Sequence, residues 1–315
     1  MPLTHTLFYR EIQQMNQSLK TNNLIVLSDR IAARKGKKGW KDKNPHKPDT
    51  RIISITSGKG GVGKSNIVAN VGYVLSRLGK RVLILDADLG LGNLDVLLGL
   101  TPKYNLSHAV LGSKTISEIA LEGPGKIKIL PASSGVQEMA QLNDEQKANF
   151  LSSLDSVMDD VDVLLIDTGA GISSNVMYFN SNAREILVVV TPEPTSITDA
   201  YALMKLLSMN YSQSRFKLVV NFAKNSKEAE GVYQQIKLVA DRFLNITIEY
   251  VGFVLIDQRV REGVRRQKIV SEMKPEAAAS RCFVSLAKTL LNTPPPDLPG
   301  KTHRSYWRDL FESAP

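Results

Sequence analysis

Cys282 is the only cysteine in 315 residues, so one chain can form neither an internal disulfide nor a Cys-x-x-Cys metal site. Assembly of an iron–sulfur cluster, which needs paired thiolates, is set aside, and a reducing compartment is expected. Long apolar runs are missing as well. None approaches the roughly 18 residues that span a bilayer, and Met1–Lys20 has no apolar h-region followed by a cleavage site. The expected location is the cytoplasm. No internal repeat recurs. Apolar residues at 43% and charged residues at 23% are ordinary for a globular chain.

Charge is distributed unevenly. The formal net charge is +9, and residues 1–50 carry ten Lys and Arg against Glu11, Asp29, Asp42 and Asp49. Most of that basicity lies between Arg30 and Lys47, which suits either a solvated linker or an anionic partner such as lipid or nucleic acid. Phe8, Ile12, Met15 and Leu19 recur at helical spacing, so the arm is expected to hold an amphipathic helix over about Thr6–Lys20. Gly36–Asp49 reads as a linker. The expected organisation is a helical and basic arm over 1–49, an α/β domain over 50–292, and a Pro-rich linker with a short amphipathic tail over 293–315.

Within that domain, short apolar segments alternate with helical ones. Strands are expected at Arg51–Ser57, Arg81–Asp86, Lys126–Pro131, Asp162–Asp167, Ile186–Thr191, Lys217–Asn221 and Glu249–Val254. Helices are expected at Lys64–Leu78, Glu145–Met158, Ile197–Met209, Ala229–Phe243 and Pro275–Leu291. This pattern predicts an α/β fold with three layers, a mostly parallel sheet covered by helices on both faces, with ligands at the carboxyl ends of the strands.

Gly58-Lys59-Gly60-Gly61-Val62-Gly63-Lys64-Ser65 fits G-x-x-x-x-G-K-[ST] between a strand and a helix. Glycines let consecutive backbone N–H groups face a phosphate, and the following helix adds its positive end. Lys64 is expected on the β- and γ-phosphates and Ser65 on Mg²⁺. The additional Lys59 cannot easily share its own γ-phosphate with Lys64, but it can reach a nucleotide in a second subunit. Asp167 closes the apolar run Val163–Ile166 and is the candidate Walker-B carboxylate for Mg²⁺. Asp86 and Asp88 share one side of their strand and aim at the same space; capping of the next turn is a second reading of Asp88.

The Gly-Lys-Gly-Gly-x-Gly-Lys-Ser loop resembles that of the deviant Walker-A ATPases, the MinD/ParA family of P-loop NTPases. The resemblance implies a slow ATP hydrolase that forms an ATP-dependent homodimer, with two ATP molecules sandwiched and Lys59 acting in trans. It also implies that Asp88 orients or activates the attacking water, that Asp86 supports the Mg²⁺ shell, and that Asp199 lies at the dimer face, where a charge at a helix start is the other reading. Asn221 matches the adenine-contacting asparagine of the family, although a turn-forming Asn would look the same. Gly58–Asn66 would contact the nucleotide, with Asn66 standing where most of the family has a second Ser or Thr.

Lys64–Asn70, Asp167–Ile172 and Thr191–Ala200 look like the flagellar-number branch of the family, the FlhG/FleN type. That branch implies control of flagellar number or placement, contact with the flagellar GTPase FlhF and with flagellar switch components, and action at the cytoplasmic face of the membrane. The GTPase-stimulating segment of the branch usually contains Asp-Gln-Ala-x-x-Leu-Arg; this arm has instead Gln13, Gln14 and Asp29–Arg34. Tyr306, Trp307, Leu310 and Phe311 beside Lys301, Arg304 and Arg308 suit a lipid interface or docking on the chain's own core. A ParA-type DNA-partition ATPase would explain the basic arm. That group, however, places its DNA-binding charges on the folded domain, where only about +3 of the net charge lies.

Overall fold

A computed structural model describes residues 50–88, 92–131, 153–154 and 157–295. The expected arm helix and basic run, most of the helix expected over Glu145–Met158, and the aromatic tail lie outside the described residues. The described strands are β1 (Arg51–Ser57), β2 (Val82–Ala87), β3 (Leu121–Glu122), β4 (Lys128–Pro131), β5 (Val163–Ala170), β6 (Glu185–Val190), β7 (Arg215–Ala223) and β8 (Thr247–Leu255). The described helices are α1 (Lys64–Arg77), α2 (Leu94–Leu98), α3 (Leu106–Val110), α4 (Ile116–Ile119), α5 (Ser174–Asn182), α6 (Pro194–Tyr211), α7 (Ser226–Phe243), α8 (Gln258–Arg265), α9 (Val270–Met273) and α10 (Ala278–Asn292).

The strands form one sheet in the order β3-β4-β2-β5-β1-β6-β7-β8, in which β3 alone pairs antiparallel. The α/β architecture expected from the sequence is therefore present. Period-two alternation divides the core between the two faces. Ile53, Ile55, Val82, Ile84, Val163, Leu165, Leu187 and Val189 pack with α1 and α10. On the opposite face Ile52, Leu83, Leu85, Leu164 and Ile166 pack with α3, α4 and α5, and Val188, Val190, Leu218 and Val220 pack with α6 and α7. Because both faces are covered, the central strands read as unbroken apolar runs.

Helix α1 runs across the centre of this sheet with Ile67, Val68, Val71, Val74 and Leu75 buried. Gly72 lets it approach closely, since a Cβ there would stand 3.0 Å from Ile84 Cδ1. The helix stops where Gly79 takes φ 84°, a left-handed conformation that suits glycine. Helix α7 begins three residues earlier than the apolar periodicity indicated, because the Asn225 side chain accepts the Glu228 N–H and caps it. The strand expected from Lys126 begins at Lys128, since Pro124–Lys126 forms a 3₁₀ turn.

At the amino ends of the central strands, Glu185 joins three elements. Arg51 donates from Nε to Glu185 Oε1 at 2.5 Å and from Nη2 to Oε2 at 2.6 Å, and Lys217 Nζ lies 3.5 Å from Oε2. Lys217 also reaches Glu249 Oε2 at 2.7 Å, and Arg51 Nη1 donates to the Leu290 carbonyl near the end of α10. The Glu185 carboxylate is 1% exposed. Glu185→Ala would leave Arg51 and Lys217 as buried cations without their shared counter-charge, and should cost about 3–5 kcal/mol in urea denaturation.

Candidate functional site

The loop Gly58–Ser65 leaves the carboxyl end of β1, in the middle of the sheet. Two of its glycines are required by conformation, Gly61 at φ 79° and Gly63 at φ 89°. Gly58 is required by space: a side chain there would overlap the backbone of Asp199 in α6. Gly63 is the N-cap of α1, and the first turn of that helix contains no acidic residue. Its N–H groups and the positive end of the helix dipole suit an anion. Val62 is buried, and its carbonyl accepts a 2.7 Å hydrogen bond from Asn221 Nδ2. Asn221 is only 3% exposed, so in this structure its amide braces the loop from behind.

Three carboxylates converge beside the loop. Strands β2 and β5 pair so that Asp86 stands next to Asp167. Asp167 is buried, interacts with the Ser65 hydroxyl, and has Oδ1 without a hydrogen-bond partner. Burial and the neighbouring Asp86 push its pKa up to about 7. Asp86 accepts the N–H of Asp88 at Oδ1 and of Leu94 at Oδ2, each at 3.3 Å. Burial raises Asp86 to about 6. Gly92 also lies against this carboxylate, since a Cβ there would be 3.0 Å from Asp86 Oδ2. Asp88 stands beside the same strand end, with Oδ1 3.4 Å from where a Cβ on Gly169 would stand. Leu89, Gly90 and Leu91 lie outside the described residues.

The two loop lysines have different surroundings. Lys64 is buried; desolvation lowers its pKa, against the opposing pull of Asp167 and Asp88. The side chain of Lys59 is 40% exposed and turned away from the carboxylates. Its Nζ lies 2.9 Å from Oε2 of Glu193, the N-cap residue of α6, and donates at 3.0 Å to Oγ1 of Thr195 in the first turn of that helix. Nothing in the sequence pairs Glu193 and Thr195 with Lys59; only the fold brings them together.

A cradle of N–H groups, a buried cation and two buried carboxylates with a free oxygen can hold a polyphosphate with a divalent metal. Asp167 Oδ1 is a buried acceptor in need of a cation or donor, the Ser65 hydroxyl stands beside it, and hard oxygen ligands of this kind suit Mg²⁺.

Similarity to known proteins extends over most of the chain. An AAA-domain family model matches residues 50–220. The chain is 43% identical to the antiactivator FleN of Pseudomonas aeruginosa, over 79% of this chain and 89% of that one. It is 31% identical to the flagellum site-determining protein YlxH of Helicobacter pylori, over 94% of this chain and 98% of the other. Among solved structures, the MinC:MinD cell division complex of Aquifex aeolicus superposes with a TM-score of 0.63 at 28% identity, covering 78% of this chain and 98% of that one.

The raised carboxyl groups have a stability consequence. In the unfolded chain they ionise near pH 4, in the fold only near 6 and 7. Between those values the unfolded state loses protons first, so stability falls as pH rises through this window and stays lowered above it. Asp167→Asn should therefore raise the stability of the nucleotide-free protein by about 1–3 kcal/mol at pH 8 and by much less at pH 4, measured by thermal denaturation. An equal effect at both pH values would show that ionisation of Asp167 is not the cause.

Proposed function

Because the chain belongs to the MinD/ParA-like family of P-loop ATPases, we propose that it is an ATP-driven dimerisation switch that controls the number or placement of flagella. The observation that carries the switch is the division of labour between the loop lysines. Lys64 faces the carboxylate cluster of its own site, whereas Lys59 is held outside it by Glu193 and Thr195. An exposed ion pair of this kind contributes only about 0–1 kcal/mol, so Lys59 can leave it for a phosphate of a second subunit at little cost.

In this reading Gly58–Ser65 receives the phosphates of ATP, with Asn66 in the same helical turn, and Asn221 lies on the adenine side of the loop that its amide braces. Lys64 stabilises charge on the β- and γ-phosphates. Ser65, Asp86 and Asp167 hold Mg²⁺, which when bound offsets phosphate charge. Asp88 orients the water that attacks the γ-phosphoryl group. Lys59 adds positive charge in trans, so that turnover depends on the dimer.

The flagellar part of the proposal rests on the likeness to FleN and YlxH, the latter named as a flagellum site-determining protein. A flagellar GTPase of the FlhF type and flagellar switch components are the partners this reading names. Among the described residues no helix is long and apolar enough to cross a membrane, so action at the membrane would be peripheral, with the basic arm and the aromatic tail as the segments available for it.

Lys59→Ala should leave nucleotide affinity within about 3-fold of wild type, since trans contacts contribute nothing to the monomer, while abolishing ATP-dependent dimers in multi-angle light scattering. Persistence of those dimers would exclude the sandwich. Asp88→Ala should bind ATP, lower kcat by about 100-fold or more and prolong the dimer; unchanged turnover would remove Asp88 from catalysis.

A further inference from the structure

For the base of the nucleotide the resemblance names only Asn221, whose amide here donates to the Val62 carbonyl, and no residue has yet been assigned to the face of the purine. Sheet order gives its direction. The carboxylates Asp86 and Asp167 lie on β2 and β5, on one side of β1, whereas β6, β7 and β8 lie on the other. The metal-bearing end of a bound nucleotide belongs over the carboxylates. The opposite end must then run towards β7 and β8.

At that position stands Phe222. Strand β7 is buried from Phe216 to Asn221, yet Phe222, next to its end, is 39% exposed. Its backbone is left-handed, with φ 57°, a conformation that bulky side chains rarely adopt and that must be held by the surrounding fold. The ring is thereby turned onto the phosphate loop, with Cζ 3.2 Å from where a Cβ on Gly63 would lie. Asn221, the preceding residue, is used inside as a brace for Val62. On the adjoining strand end, Ile256 is 56% exposed, and its N–H is bonded to the Ala223 carbonyl at 2.9 Å. Two exposed apolar side chains therefore stand at the adjoining ends of β7 and β8, and the one beside the loop has a strained backbone.

We propose that Phe222 is the base-binding residue of this site, its ring providing an apolar face on which the purine of ATP or ADP stacks. An aromatic ring at the loop's final glycine can meet a base while the phosphates rest on the N–H groups of the same loop. Stacking does not read hydrogen-bonding edges, so Phe222 supplies affinity and orientation and leaves the choice of purine to other groups. Ile256 extends the apolar surface. The inference rests on the ATPase reading above and adds a residue to it.

The test uses the full chain with two probes, Mg²⁺-ADP and Mg²⁺-tripolyphosphate, titrated calorimetrically. Phe222→Ala should raise the Kd for ADP by about 10-fold, the usual scale of a base–aromatic stack, and leave tripolyphosphate binding as in wild type. Phe222→Tyr should restore ADP affinity, because it keeps the ring. ADP binding by Phe222→Ala equal to wild type overturns the proposal and leaves the ATPase reading standing. So does a parallel loss of both probes, which would make Phe222 a support for the loop rather than a contact for the base. A wild-type chain that binds neither probe overturns both readings.

Discussion

The site depends on one electrostatic constraint, the burial of Asp86 and Asp167 side by side on neighbouring parallel strands. Water cannot screen their mutual repulsion there, and both are pushed towards the protonated form. Everything around them answers that charge. Lys64 supplies the opposing field, the Ser65 hydroxyl interacts with Asp167, and Asp88 and Leu94 each donate an N–H to Asp86. The arrangement costs stability in the protein alone and is offset when a cation joins it. A site of this kind is biased towards its loaded state before any contact with the rest of a ligand is made.

The same burial explains why one loop carries two lysines with different properties. Lys64 is fixed between low-dielectric walls, where its charge acts strongly on whatever the loop holds. Lys59, five residues earlier, sits on the surface in an ion pair that solvent weakens. A strong, immobile charge suits chemistry within the subunit. A weakly held, movable one suits a contact that must form and dissolve with a second copy.

Much of this was legible in the sequence because it is local. Strands β1, β2, β5 and β6 are buried on both faces and so read as apolar runs. The glycines of the loop announce a backbone that must turn tightly or pass close to another chain, and at Gly58, Gly61 and Gly63 the structure gives the reason. Helices α2, α3, α4 and α9 escaped notice because four or five residues are too few to show a helical period. The nine-residue helix α5 is announced mainly by its cap at Ser173, and its apolar residues are interrupted by Asn180. The hold of Glu193 and Thr195 on Lys59 joins residues more than 130 positions apart. The backbone of Phe222 has no sequence signal at all, since nothing in Asn221-Phe222-Ala223 calls for a left-handed residue.

The two ends of the sheet are organised on opposite principles. At the amino ends, Arg51, Glu185, Lys217 and Glu249 form a satisfied network of alternating charge that also grips the carbonyl of Leu290 at the end of α10. At the carboxyl ends, like charges are crowded together and an aromatic residue is held in an unfavourable backbone conformation. Strain of that kind persists only where the remainder of the fold over-determines it. The packed helices and the network at the far end therefore provide the stability against which the nucleotide end can be kept unrelaxed. Because the network also holds the carbonyl of Leu290, the end of α10 is tied to the amino ends of the strands, at the edge of the sheet opposite the phosphate loop.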